Sequence, residues 1–170
     1  GMWQVLRMTM SAASGAAALL FPSHLHAQTA TFSWNALVAQ AAKLAREPYR
    51  EAPAHPGAGK VDYDALHKAQ FRPERGLWND IPGDVAIRFF PLSANADRSV
   101  SISTVERGQV KPVAYDPSMF DMTSDNPVAA LGPDAGFAGL RVMNAARDAD
   151  WLVFMGASYF RAAGAQKQYG

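Results

Sequence analysis

The sequence predicts a mainly β chain, a partial β-sandwich with a short helical segment at its N-terminal end. Three observations carry that reading. A single helix-periodic segment comes first, over residues 34–46. From residue 84 the apolar period changes to two, and strand-like runs then recur along the chain. The composition, 49% apolar and 18% charged over 170 residues, suits a folded domain with a core rather than a disordered chain.

Taken in order, the chain opens with a segment that reads as a leader. Arg7 precedes an apolar run from Met8 to Phe21, and small residues follow around Ala27 and Ala30. That is the order of a charged region, an apolar region and a cleavage zone. The run is about 14 residues long, short of the roughly 20 that a membrane-spanning helix needs. Residues 1–27 are therefore expected to be a signal peptide, with cleavage after Ala27 or as late as Ala30. No twin-arginine pair is visible.

The helix after it has its apolar positions at Trp34, Leu37, Val38, Ala41, Ala42, Leu44 and Ala45, which share a face and are expected to pack on a core. Ser33 is a natural N-cap, Phe32 and Leu37 occupy the positions of a hydrophobic staple, and Pro48 stops the helix near Arg46. Residues 49–60 hold Pro53, Pro56, Gly57 and Gly59 and read as an irregular connection. Val61 to Gln70 predicts a second short helix with Tyr63, Leu66 and Ala69 or Phe71 inward. Phe71 to Trp78 reads as a loop with an aromatic anchor at each end.

Val85, Ile87 and Phe89 alternate as a strand. Val100 to Val105 and Val110 to Tyr115 predict the next two, joined through Gly108, which can supply the positive φ of a tight hairpin. A loop follows from Asp116 to Pro133. Phe137 to Val142 is a fourth strand. Trp151 to Met155 is continuously apolar and reads as a strand covered on both faces, continued past a bend at Gly156 into Ala157 to Arg161. Gln166 to Gly170 brings no cap or charged tail, so residues 28–170 are expected to be the front part of a larger domain, cut as another strand approaches.

The chemistry available is limited. Lysine and arginine number 16 against 15 acids, a net charge of +1, and the basic residues are scattered, which argues against a nucleic-acid partner. There is no cysteine, which excludes disulfides, thiol catalysis and thiolate-ligated metals. His24, His26, His55 and His67 have no metal-ligand spacing, and no cofactor fingerprint is present, so neither metal nor cofactor is expected. Gly132 to Gly139 precedes a strand rather than opening a helix, unlike a phosphate loop. Asp62 and Asp64, and Asp148 and Asp150, are spaced like paired catalytic acids, but their surroundings favour solvated turn residues. Among Trp78, Phe89, Phe90, Tyr115, Trp151, Tyr159 and Phe160 most are expected in the core. Tyr159 and Arg161, two apart on one strand, set an aromatic face beside a cation and are the best candidates for a sugar contact, with Trp78 a third.

Several segments together resemble a known family. They are Phe32 to Val38, Lys43 to Tyr49, Val61 to Asp64, Phe71 to Pro73, Leu77 and Trp78, Phe89 to Pro91, Tyr115 to Asp121, Gly136 to Gly139 and Phe154 to Ala162, with Tyr169 and Gly170 at the end. The block from Gly156 to Ala162 is the most specific. The set resembles the periplasmic glucan biosynthesis proteins G and D of Gram-negative bacteria. The resemblance implies a large β-sandwich of the galactose-mutarotase type, a periplasmic location and a β-1,2-linked glucan as partner. It implies glucanase activity for some members, through acids later in the large domain that no position here matches, so no catalytic residue is assigned. A glucan-binding or glucan-processing protein, a non-catalytic carbohydrate-binding or assembly module, and a remnant without independent function all remain open. A sandwich short of most of its strands recovers little burial against about 1–2 kcal/mol of backbone entropy per residue, so marginal stability is expected.

Overall fold

The computed structural model describes residues 30–83 and 85–164; the leader segment, His24 and His26 lie outside them. The architecture is mainly β, three antiparallel sheets with little helix, and is that of a partial β-sandwich. Among the described residues no helix is long and apolar enough to cross a membrane.

Strand β1 (Ala30–Thr31) precedes helix α1 (Trp34–Leu44). The helix starts where its cap predicts: the Ser33 side chain accepts a hydrogen bond from the Ala36 amide at 3.2 Å. Its expected packing is corrected by the structure. Every residue of α1 is exposed, Trp34 at 66% and Leu44 at 59% included. An amphipathic pattern secures the helix but not a neighbour to receive its apolar face. Helix α2 (Tyr63–Lys68) is capped by Asp62, whose carboxylate accepts from the Ala65 amide at 2.8 Å. Ala65 and Ala69 face the core as the period requires, whereas Tyr63 is exposed and stacks on His67 instead.

Two residues on, Gln70–Phe71 form β2, which pairs antiparallel with β6 (Phe120–Asp121). Phe71, read as a loop anchor, is thus an anchor within a small sheet. Strand β3 (Ile87–Pro91) begins two residues later than the alternation from Val85 suggests. Strands β4 (Ser103–Glu106) and β5 (Gln109–Pro112) are shorter than predicted at their outer ends. Their hairpin turns on Arg107 and Gly108, with φ 49° and 76°, the two left-handed positions that a two-residue turn needs. β1 adds to the free edge of β5, and Phe32 donates to the Gly108 carbonyl at 2.7 Å.

The main sheet runs in the order β3, β7 (Phe137–Met143), β8 (Asp150–Met155), β9 (Tyr159–Ala162), antiparallel throughout. The segment after Gly156 does not continue β8. The chain reverses over residues 156–158, and β9 returns along β8 with Met155 opposite Tyr159. Gly156, at φ 62°, serves a turn rather than a bend. β7 and β8 approach closely at Gly139, where a Cβ would run into the Phe154 carbonyl and lie 3.0 Å from the Met155 Cα.

The core sits where α2, β2 and β6 cover β3 and the start of β7. Phe71, Phe89, Phe120 and Phe137 are all buried there and meet as rings, with Phe71 edge-on to Phe89 at 5.8 Å and Phe89 stacked on Phe137 at 4.6 Å. Such pairs add about 0.5–1.5 kcal/mol each beyond their burial. Burial fades across the sheet. Register places Phe89, Leu140, Phe154 and Phe160 in one cross-strand row, and exposure rises from 1% at Phe89 to 67% at Phe160. The expectation that β8 is covered on both faces is therefore corrected. Val153 is buried, but Trp151 and Phe154 are exposed, because an apolar run records hydrophobicity without recording which face meets a second layer.

Candidate functional site

Alternation along strands and register across them assemble a second set of rows on the other face of the main sheet. Arg88, Arg141, Val153 and Arg161 stand opposite one another on β3, β7, β8 and β9. The neighbouring row is Phe90, Gly139, Met155 and Tyr159. A bulge between Val142 and Met143 pairs Met143 with Asp150 and skips Trp151. That phase change brings Asp150 onto the same face as the arginines.

Asp150, one of the four acids that the sequence spaces in pairs, is the one that the structure sets apart. Its side chain is only 14% exposed, 3.4 Å from the Arg141 Nη1 and 3.8 Å from the Arg161 Nη2. It is not the solvated turn residue expected from its spacing to Asp148. Asp148 does fit that description: it is exposed and accepts from the Asn144 amide side chain at 2.7 Å. Of the other spaced pair, Asp62 caps α2 and Asp64 forms an exposed ion pair with Lys68 at 2.7 Å.

The arginines are set unusually. Arg88 lies directly opposite Arg141, a like-charge cross-strand pair of the kind that ordinarily destabilises a sheet. Burial, then Arg141, then Arg147 hold the Arg88 guanidinium below its usual range, with Asp150 acting in the other direction. The Nε of Arg88 and that of Arg141 are buried and have no hydrogen-bond partner among the described residues. The Arg141 guanidinium lies 4.9 Å over the Phe90 ring. Both arginines, with Phe90, Tyr63 and His67, line a cleft of about 390 Å³ between the sheet and α2.

Of the residues the sequence singles out, Tyr159 and Arg161 share this face on β9, as their spacing requires. Tyr159 is 56% exposed and borders a further cleft of about 580 Å³ with Tyr49, Arg98 and Ala157. Trp78 is elsewhere, half-buried at a φ of 56° in the segment before β3. Its carbonyl, with those of Asn79 and Ile81, accepts from the Arg147 guanidinium. Sequence reading does not single out Arg88 and Arg141, and it reads Asp150 as a solvated turn acid beside Asp148. Arg88 and Arg141 lie far apart in the chain, and only register joins them. Among the described residues no group of three or more histidine, aspartate or glutamate side chains is placed to hold a metal ion.

Comparison with known proteins agrees with the segment order. A 152-residue match is 35% identical to glucans biosynthesis protein D 2 of Ralstonia nicotianae and covers 83% of this chain. Glucans biosynthesis protein D of Xanthomonas campestris pv. campestris is 35% identical over 148 residues, 84% of this chain. Glucans biosynthesis protein D 1 of Ralstonia nicotianae is 39% identical over 137 residues, 77% of this chain. The chain spans between 25% and 28% of the length of these curated relatives. The family described as periplasmic glucan biosynthesis protein, MdoG, matches residues 32–170. With that match over most of its length, this chain belongs to the MdoG family of periplasmic glucan biosynthesis proteins.

Proposed function

We propose that this chain acts in the periplasm in the biosynthesis of osmoregulated glucans, binding or processing a β-1,2-linked glucan. Family membership over residues 32–170 is the observation that carries the reading. In this reading residues 1–27 direct export, and residues 28–170 form the front part of the large galactose-mutarotase-type sandwich. Tyr159 offers its ring to a sugar face, Arg161 donates to hydroxyls beside it, and Trp78 provides a separate aromatic contact. The exposure of Tyr159 beside a cleft supports the first of these roles.

Within this segment the reading favours binding over catalysis. A glycosidase needs one acid to protonate the leaving oxygen and a second carboxylate across the bond. Asp150 is instead held between two arginines, while Asp62, Asp64, Asp116 and Asp121 serve in caps and ion pairs. The test is thermal unfolding of the chain with and without soluble β-1,2-glucan, alongside an assay for newly released reducing ends. A transition raised by glucan, lowered again in Tyr159→Ala and Arg161→Ala, and without turnover, is the expected result. Turnover would make the segment an enzyme. Indifference to glucan in both assays would remove the proposal for this chain and leave glucan chemistry to the longer relatives.

A further inference from the structure

We propose that Arg88 and Arg141, facing each other across β3 and β7, form a site for an oxyanion, a phosphate or carboxylate group seated in the cleft between the sheet and α2. The inference rests on this geometry and not on the glucan reading.

Three independent features lead to it. First, the pair is directly opposed in register, which costs stability unless something negative lies between or beside the two charges. Asp150 answers this only in part. It contacts Arg141 at 3.4 Å and Arg161 at 3.8 Å, so a single carboxylate is spread over several guanidinium groups. Second, the Nε–H of each arginine is shielded from water without an acceptor among the described residues. A buried donor left unmet is unfavourable, and native structures keep few of them without a functional reason. The hydrogen bond that the Arg88 guanidinium makes among the described residues, from Nη2 to the Arg147 carbonyl, is long at 3.4 Å and is readily exchanged for a stronger acceptor. Third, both arginines line the same cleft of about 390 Å³, beside Tyr63, His67 and Phe90. A modest rotation of each guanidinium would present Nε and Nη together, the planar fork that accepts two oxygens of a carboxylate or phosphate. The ring of Phe90 under Arg141 keeps that fork oriented. The oxyanion could be a free ion or a substituent carried on a saccharide. The chemistry recognised is the same.

The experiment follows the arginine Nε–Hε resonances of the isotopically labelled 170-residue chain. They are assigned through Arg88→Lys and Arg141→Lys, which keep the charge and remove the fork. Inorganic phosphate is the probe, with chloride at matched ionic strength as control, then glucose and glucose 6-phosphate. Saturable downfield shifts of both resonances with phosphate are expected, and about a tenfold weaker dissociation constant in each lysine variant. Tighter binding of glucose 6-phosphate than of phosphate, with none by glucose, would identify a saccharide substituent as the source. Equal binding would identify the free ion. Three results would overturn the site: no saturable shift at phosphate up to roughly 50 mM, well above a millimolar site; the same shift with chloride; or affinity unchanged in both lysine variants. The titration of the unaltered chain decides the question even if a variant folds poorly.

Discussion

Replacing Asp150 with asparagine tests the electrostatic frame of the charged face most directly. The substitution keeps volume and hydrogen-bonding capacity but removes the carboxylate lying between Arg141 and Arg161. Deleting one partner of a fully buried ion pair costs about 3–5 kcal/mol. Here the arginine side chains are 29% and 38% exposed and the contacts are long, so solvent screening reduces the expected loss to about 1–2 kcal/mol. With a urea dependence of about 2 kcal/mol per molar, the unfolding midpoint should fall by roughly 0.5–1 M. The loss should shrink in 1 M salt, where the screening length is about 3 Å and the exposed parts of the arginines repel one another less. Asp148→Asn is the control, because Asp148 is exposed and its asparagine replacement should stay within about 0.5 kcal/mol of the parent. Equal midpoints for the two variants at low salt would show that Asp150 does not neutralise this face, and the reasoning from burial and register would fail.

Other consequences follow from particular contacts. Gly139→Ala places a methyl group against the backbone of β8 and should cost at least about 3 kcal/mol, read as loss of the cooperative transition or a large midpoint shift. Asn126 is buried, donates to the Ala65 carbonyl and accepts from the Val128 amide, each at 2.9 Å, so Asn126→Ala should destabilise by about 2–4 kcal/mol in the same assay. Burial pushes the Tyr115 phenol up to about 12, and its hydroxyl has no partner among the described residues. Stability from the neutral phenol is therefore intact below about pH 10 and lost as pH rises from there through about 12, and phenolate absorbance should show one late tyrosine that Tyr115→Phe abolishes without loss of stability at neutral pH. The Ser118 backbone amide, the Ser118 hydroxyl and Arg75 hold Asp116 below the usual carboxylate range. Its contribution is present above that range and lost as pH falls through the lowered value, so Asp116→Asn should flatten the acid limb of a stability profile.

Local signals carried much of the fold. Ser33 marks the start of α1, Gly108 marks the β4–β5 hairpin, and alternation from Ile87 to Phe89 marks β3, because capping, positive φ and period two are each properties of a few adjacent residues. β1, β2 and β6 have two residues each, too short for any period to show, and exist only because a partner edge is present. A glycine between two apolar runs fits a bend as well as a turn, so the sequence alone does not show the reversal at Gly156. The helix face of α1 was legible, its exposure was not. Spacing within one strand is enough to put Tyr159 and Arg161 on one face. The meeting of Arg88, Arg141 and Asp150 depends instead on the register of three strands and on a bulge, which spacing along the chain does not show.

That bulge gives Trp151 a role unrelated to its own chemistry. It works as a spacer of one residue that sets the phase of the sheet: Leu152 onward keeps its apolar row, while Asp150 is turned to the opposite side. A second phase step between Phe90 and Pro91 does the same at the other end of β7, letting Phe137 enter the core although it has the parity of Arg141. Deleting the extra residue at either step, Trp151 or Ala138, would therefore remove the bulge and leave regular alternation, with Asp150 still opposite Met143 and Phe137 still opposite Pro91. Relatives shorter by one residue at either point should keep the same side chains on the same faces, in straighter strands.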